Sequence, residues 1–314
     1  MQPSRFLSPR IAAVALLCAA VAPRTMPAQM ALAPSAPVVV STDWLAKHLK
    51  DENLVLLHVG EKAEYDAGHI PGARYVRLDD ISVSDHDRES GLMLEMPQPD
   101  SLRARLEALG ISDRSRVVVY YGNDWVSPAT RVIFTLDYAG LGASSALLDG
   151  GMLAWKAEDR PLTKEAPKQA RGQLAALRVK PIVVDAAWVK SRLGEPGLRL
   201  IDGRAAVFYD GVEKGGSRKG HVAAAKNLPY TEMMDDKLRL KSAPQLRALF
   251  ARAGVAPGDT VVAYCHIGQQ ATVVLFAARS LGHPVLLYDG SYQDWSRRAE
   301  LPVEDPRDGK ARAQ

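Results

Sequence analysis

The chain carries one pattern twice. VVVSTDWLAKHL at 38–49, LVLLHVG at 54–60, GHIPGA at 68–73, RVVVYYGNDW at 116–125 and LGASSALLDGGMLAW at 141–155 form the first copy. They return in the same order as IVVDAAWVKSRL at 182–193, LRLIDGR at 198–204, GHVAAA at 220–225, TVVAYCHIGQ at 260–269 and LGHPVLLYDGSYQDW at 281–295. Trp44 matches Trp188 and Tyr121 matches Cys265, both at an offset of 144; Asp149-Gly150 matches Asp289-Gly290 at 140. A period this long describes two duplicated domains rather than a solenoid of short units.

Each copy alternates strand and helix signals. In the second, Leu198 to Asp202 is a short apolar run of strand type. Ser242-Ala243-Pro244-Gln245 reads as a capping box with proline in the first turn, opening a helix that Gly254 ends. Thr260 to Tyr264 is β-branched and apolar, as buried strands are. A loop, a helix over about 271–281 and a strand over 285–288 come next. The alternation predicts an α/β fold: two domains, each a mainly parallel sheet with helices on both faces. The first domain is expected over 38–156 and the second over 182–298. Residues 157–181, rich in Lys, Ala, Pro and Gln, read as a linker, and 299–314 as a polar, frayed tail.

The first 28 residues read as a signal peptide. Arg5 and Arg10 precede Ile11 to Ala22, an apolar run of 12 residues. As a helix it would reach about 18 Å, short of a hydrocarbon core of about 30 Å. A secretory leader fits better than an anchor, with cleavage near Ala22 or Ala28. A lipoprotein cysteine at Cys18 fits poorly, because bulky Leu17 precedes it. The expectation is a periplasmic or secreted protein with no stable membrane insertion once the leader is removed. The net charge of +4 is also mostly leader, since Arg5, Arg10 and Arg24 meet no acid there. The remainder is nearly neutral and shows no basic patch with interleaved aromatics, so nucleic acid is not expected as a partner. Hydrophobic residues at 47% and charged residues at 24% fit a globular chain.

Only two cysteines occur, and Cys18 lies in the leader. The mature protein would hold one thiol, Cys265, which excludes an internal disulfide. Cys265 sits between a buried strand and a helix, where open α/β sheets bind ligands. The loop Cys265-His266-Ile267-Gly268-Gln269-Gln270 can curl so that successive N–H groups point inward. With the helix's positive end, that ring would stabilise a thiolate and raise its nucleophilicity. Gly268 permits a backbone conformation closed to other residues. A buried, inert cysteine is the alternative on the loop alone.

Together these motifs resemble the tandem rhodanese family, which includes thiosulfate and 3-mercaptopyruvate sulfurtransferases. The likeness spans roughly Val38 to Arg298. Gly68-His69-Ile70-Pro71-Gly72-Ala73 resembles a signature near the start of a domain, with a weaker copy at Gly220-His221-Val222-Ala223. Asp289-Gly290 followed by Trp295 resembles the C-terminal signature. The first domain of such proteins usually lacks the nucleophile, and here Tyr121 takes its place.

The resemblance implies a two-step sulfurtransferase. A Cys265 thiolate takes the outer sulfur of a small anionic donor as a persulfide, then yields it to a thiophilic acceptor such as cyanide, a thiol or a protein thiol. No metal or organic cofactor is implied. Arg204, in an Asp-x-Arg context, would grip a sulfonate or carboxylate, or else simply pair with Asp202. His266 could add positive charge, and Gln269 and Gln270 could donate hydrogen bonds. Asp66 and His69 are lesser candidates from the first domain, and Arg218 and Lys219 suit a solvated loop. A phosphatase or arsenate reductase of the same fold needs an arginine six residues after the cysteine, where this chain has Ala271. A thiol:disulfide oxidoreductase would need a second mature cysteine. A non-catalytic binding module describes the first domain but not the second. The loop departs from both the basic type that resembles thiosulfate enzymes and the small neutral type that resembles mercaptopyruvate enzymes. The ionisable His266 tips the expectation to thiosulfate, with 3-mercaptopyruvate as the alternative.

Overall fold

The computed structural model describes residues 1, 38–84, 91–122, 125–168 and 170–307. The chain divides into two units, Met1–Pro34 and Ser35–Gln314. Apart from Met1 the first unit lies outside the described residues, and so does the leader read from the sequence.

The second unit holds the two repeats as two five-stranded sheets. The first contains β1 (Val39–Val40), β2 (Leu54–Val59), β3 (Arg74–Val76), β4 (Arg116–Tyr121) and β5 (Ser145–Leu148) in the order β1-β5-β4-β2-β3. The second contains β6 (Val183–Val184), β7 (Leu198–Asp202), β9 (Lys226–Asn227), β10 (Thr260–Tyr264) and β11 (Val285–Tyr288) in the matching order β6-β11-β10-β7-β9. Every pairing in both sheets is parallel. Helices α1 (Thr42–His48), α2 (Lys62–Ala67), α3 (Pro99–Ala108), α4 (Ser127–Tyr138) and α5 (Gly151–Ala157) serve the first sheet. Helices α6 (Ala186–Ser191), α7 (Ala206–Tyr209), α8 (Ala243–Arg252), α9 (Ala271–Ser280) and α10 (Ser291–Trp295) serve the second. No helix among the described residues is long and apolar enough to cross a membrane.

Local chemistry sets the ends of these elements. The capping box at Ser242 forms as the sequence predicts, with Gln245 answering the Ser242 N–H at 3.1 Å, and Gly254 closes α8 at φ +76°. In β10 alternate residues face opposite ways. Val261, Ala263 and Cys265 join a core cluster that continues into the first domain through Val117, Val119 and Tyr121. Val262 and Tyr264 face a separate cluster around Trp295. Cys265 therefore lies on the side of its sheet that meets the other domain. There α4 packs on α9, and Thr130 Oγ1 meets Thr272 Oγ1 at 2.8 Å.

Residues 157–168 and 170–181 hold to the first domain at several points. Thr163 forms a bridge with His69, Leu174 is buried, and the Gly172 N–H reaches the Glu107 carbonyl at 2.7 Å. The start of the tail corrects the expectation of fraying. Val303–Glu304 forms β12, antiparallel to β8 (His221–Val222), Leu301 is buried, and the Trp295 indole donates to the Pro302 carbonyl at 2.9 Å. Burial of one leucine and one tryptophan anchor outweighs the polarity around them. Leu301→Ala should lower stability by about 2–4 kcal/mol in urea unfolding; a change under about 0.5 kcal/mol would return this stretch to a dispensable tail.

Candidate active site

Cys265 leaves β10 one residue beyond Tyr264, which pairs in register with Asp202 of β7. It is fully buried and is the cysteine found among the described residues. The loop it opens is held by its carbonyls. The Cys265 carbonyl accepts from the Tyr292 N–H at 3.0 Å and the His266 carbonyl from the Gln293 N–H at 2.9 Å, both in α10. The Gly268 carbonyl accepts from Arg131 Nη1 at 3.0 Å, and the Gln269 carbonyl from the Thr272 N–H at 3.1 Å. In a planar trans peptide the N–H opposes its carbonyl, and the described residues contain no cis bond. Four outward carbonyls therefore turn the N–H groups of His266, Ile267, Gln269 and Gln270 to the opposite side. No described residue supplies an acceptor to those four or to the Gly268 N–H. Such a ring of unanswered donors is a nest for an anion. The Cys265 N–H is excluded from it, because it donates to Ser291 Oγ at 3.2 Å.

Gly268 has φ +78°, and a Cβ there would lie 2.8 Å from the Asp289 carbonyl oxygen and 3.0 Å from Arg131 Nη1. Both conformation and space demand glycine. Asp289 of the Asp-Gly signature ties the loop to the first domain, accepting from Arg131 Nη1 at 2.8 Å and from the Met96 N–H at 2.7 Å.

The other residues expected at the site divide. Arg204 is fully buried and bonded to Asp202, with Nε to Oδ1 at 3.0 Å and Nη2 to Oδ2 at 2.6 Å; Nη2 also reaches the Gly220 carbonyl at 2.9 Å. Its carbon centre lies 3.9 Å over the Tyr292 ring. Nη1 is buried with no hydrogen-bond partner among the described residues, facing the Cα of Gly215 beside the His266 ring. Arg204 thus does both things the sequence left open: it pairs with Asp202 and keeps one edge free.

His266 is half-buried, edge-on to Phe208, with Nδ1 3.0 Å from the Gly215 carbonyl. A carbonyl only accepts, so Nδ1 carries the proton and Nε2 is an acceptor in the neutral ring. Burial pushes its pKa below the ordinary value and the Arg204 charge adds to that, against the Gly215 hydrogen bond. His266 therefore carries less of the positive charge expected of it at neutral pH than a free imidazole would. Gln269 uses its amide on Ser127 Oγ at 2.9 Å, and Gln270 begins α9 with Oε1 buried and unpartnered. Ile267 is half-buried in the loop.

Asp66 and His69 serve their own domain. Asp66 is exposed and ion-paired with Lys62. His69 is buried, stacks on Tyr65 at 3.8 Å, and turns its nitrogens to the carbonyls of Tyr65 and Glu165. His221 repeats that stack on Tyr209 at 3.6 Å, so the Gly-His motif fixes a turn in both copies. Arg218 caps the carbonyls of Trp295, Ser296, Arg298 and Leu301, and Lys219 reaches the Val212 carbonyl. In the first domain Tyr121 is buried at the cysteine's position, its hydroxyl donating to the Leu238 carbonyl. His58 and Gly60 stand where the second domain has Asp202 and Arg204. Neither His58 nitrogen has a partner among the described residues, and burial, followed by the nearby charges of His69 and Lys156, lowers its pKa to about 4.

Sequence reasoning missed Arg131, Ser127 and Ser291. Arg131 left one signal: a lone cation within the otherwise uncharged run 126–136.

A duplicated parallel sheet with one thiol-bearing loop in the second copy defines a tandem rhodanese-type protein. The model of the Rhodanese-like domain matches residues 41–158 and 185–298. The chain is 31% identical over 280 residues to the 3-mercaptopyruvate sulfurtransferase of Escherichia coli (strain K12), covering 84% of this chain and 97% of that one. It is 30% identical over 273 residues to the thiosulfate sulfurtransferase of Azotobacter vinelandii, covering 86% and 98%. The anaerobic ergothioneine biosynthesis enzyme from Chlorobium limicola, solved with trimethyl histidine, superposes with a TM-score of 0.76 at 21% identity, over 86% of this chain and 71% of that one. That likeness is one of fold. The chain belongs to the rhodanese family. Within it, the chain is a sulfurtransferase.

Because Arg204 and Asp202 are both fully buried, removing one partner strands the other. Arg204→Ala should cost about 3–5 kcal/mol of stability as well as activity. Arg204→Lys can neutralise Asp202 but lacks the planar edge, so it should keep the fold and lower kcat/KM about 10- to 150-fold with an anionic donor. Unchanged kinetics in a folded Arg204→Lys protein would reduce Arg204 to a structural partner of Asp202.

Proposed function

We propose that this protein moves a sulfane sulfur from thiosulfate to a thiophilic acceptor through a persulfide on Cys265. The observation that carries this reading is the Cys265 loop itself, with five N–H groups that find no acceptor among the described residues. The thiolate attacks the outer sulfur of thiosulfate, the S–S bond to the sulfonate sulfur breaks, and sulfite leaves with the electron pair. The product, Cys265–S–S⁻, carries the same charge as the thiolate, so one nest serves both states. Cyanide or a thiolate then attacks the terminal sulfur and restores the Cys265 thiolate; with cyanide the product is thiocyanate. The unpartnered Nη1 of Arg204 suits the oxygens of the anionic donor.

One observation favours 3-mercaptopyruvate as a second reading. Neutral His266 offers Nε2 as an acceptor instead of a second positive charge. That suits a monoanionic donor with a thiol proton better than it suits a dianion. In that reaction the C–S bond breaks and leaves the enolate of pyruvate, which the donor's own thiol proton converts to pyruvate.

The test is steady-state kinetics with both donors, together with intact mass after donor treatment. The wild type should gain one sulfur and Cys265→Ser none; turnover by Cys265→Ser would overturn the reading. Since His266 is neutral above its lowered pKa, His266→Ala should change kcat/KM with thiosulfate by less than about threefold at pH 7–8. A mercaptopyruvate preference of about tenfold or more, lost in His266→Ala, would establish the second reading instead.

We also propose that the protein works outside the cytoplasm after loss of residues 1–28, on the support of Arg5, Arg10 and the apolar run Ile11 to Ala22. N-terminal sequencing of the expressed protein should find a start near residue 23 or 29; a cytosolic protein beginning at Met1 would refute it.

A further inference from the structure

Helix α4 of the cysteine-less domain is buried from Ser127 to Asp137, and Arg131 is the cation within it. Its guanidinium is fully buried and divided among three acceptors. Nη1 bridges the Gly268 carbonyl at 3.0 Å and Asp289 Oδ1 at 2.8 Å, and Nη2 reaches the Leu94 carbonyl. Nε has no partner among the described residues. The duplication makes this arrangement informative. Whether the two helices are related by the offset of 144 or by the 142 that separates Thr130 from Thr272, the counterpart of Arg131 is apolar, Leu275 or Val273. The buried cation exists only in the direction that faces a cysteine loop.

Its point of contact is the weakest part of that loop. Gly268 has no side chain to restrain it, and a glycine peptide turns over more readily than any other. If the Gly268 carbonyl swung inward, a partial negative charge would replace the Gln269 N–H on the side where the sulfur anion must be held. Asp289 neutralises much of the Arg131 charge, so the larger effect is one of orientation. Other charged and titratable groups around the loop are His266 on the loop itself, the Arg204–Asp202 pair from β7, and Tyr292 of α10, whose ring lies under the Arg204 guanidinium.

We propose that Arg131 is a positioning residue for sulfur transfer: from the first domain it fixes the Gly268–Gln269 peptide so that the Gln269 N–H faces the Cys265 sulfur. The persulfide half of this inference rests on the sulfurtransferase reading; the thiolate half does not. The test therefore reads the thiolate separately, as the pH midpoint for alkylation of Cys265 by iodoacetamide, beside kcat and KM. Arg131→Met removes the fork, and Arg131→Lys keeps a charge for Asp289 without the fork. Both should raise the alkylation midpoint by about one pH unit and lower kcat about 10- to 100-fold, with little change in KM. Thr130→Val, which loosens the same helix contact and reaches the loop only through Thr272 Oγ1 at the Gln269 carbonyl, leaves the Arg131 bond to the Gly268 carbonyl in place and should leave the midpoint where it is. Should Arg131→Met fail to fold, Arg131→Lys decides the question. An unchanged midpoint and kcat in Arg131→Lys would overturn the proposal, and so would an equal shift in Thr130→Val. If the wild type accepts sulfur from neither donor, the sulfurtransferase reading fails, while the alkylation midpoint still decides the role of Arg131.

Discussion

The outward turn of the carbonyls between Cys265 and Gln269 is the constraint on which the rest of this molecule depends. A buried thiolate is costly unless donors surround it. A loop can offer its N–H groups only if something else takes its carbonyls. Here α10 takes two, α9 takes one and the first domain takes the fourth. The Asp-Gly turn after β11, the start of α10 and the packing of α4 on α9 all serve that distribution.

The two domains are copies in fold but not in use. Each lends the other a short arm: residues 91–96 lie against Asp289 and Gln293, and residues 238–240 against Asp149 and Tyr121. Leu94 and Leu238, which stand 144 residues apart, both adopt positive φ and both offer a carbonyl across the interface. The acceptors are equivalent and the donors are not. In one direction the donor is a tyrosine hydroxyl at the position equivalent to Cys265; in the other it is a guanidinium that also holds the loop after Cys265. The loss of the Asp–Arg pair to His58 and Gly60 in the first copy belongs to the same division of labour.

Much of this was legible in the sequence, because it is locally coded. Strand runs, the Ser242 capping box and the glycine at 268 declare themselves within a few residues, and the repeat doubles each signal. Cys265 was legible as a candidate because the chain has two cysteines and this one directly follows a strand run at the head of a helix. What escaped was either non-local or locally ambiguous. Arg131 reaches Gly268 and Asp289 across 137 and 158 residues, and no periodicity marks such a contact. Leu301 holds the chain after α10 through a single apolar residue in a polar stretch. His69, a lesser candidate in the sequence, stacks on Tyr65 and bonds to carbonyls, and so acts as a fastener. The lowered pKa of His266 was not legible because the ordinary value of an imidazole says nothing of its burial against Phe208.

The exchanged arms also bear on the order in which this chain can become complete. Synthesis runs from the N-terminus, so the first domain emerges with Tyr121 and Asp149 before residues 238–240 exist to receive them. Its hydroxyl and carboxylate must then find water or one another until the second domain arrives. The second domain never faces that interval, for its arm and its guanidinium are already made. The half that carries Cys265 is thus assembled on a finished template, and its thiol is enclosed in the same event that satisfies Tyr121 of the other half.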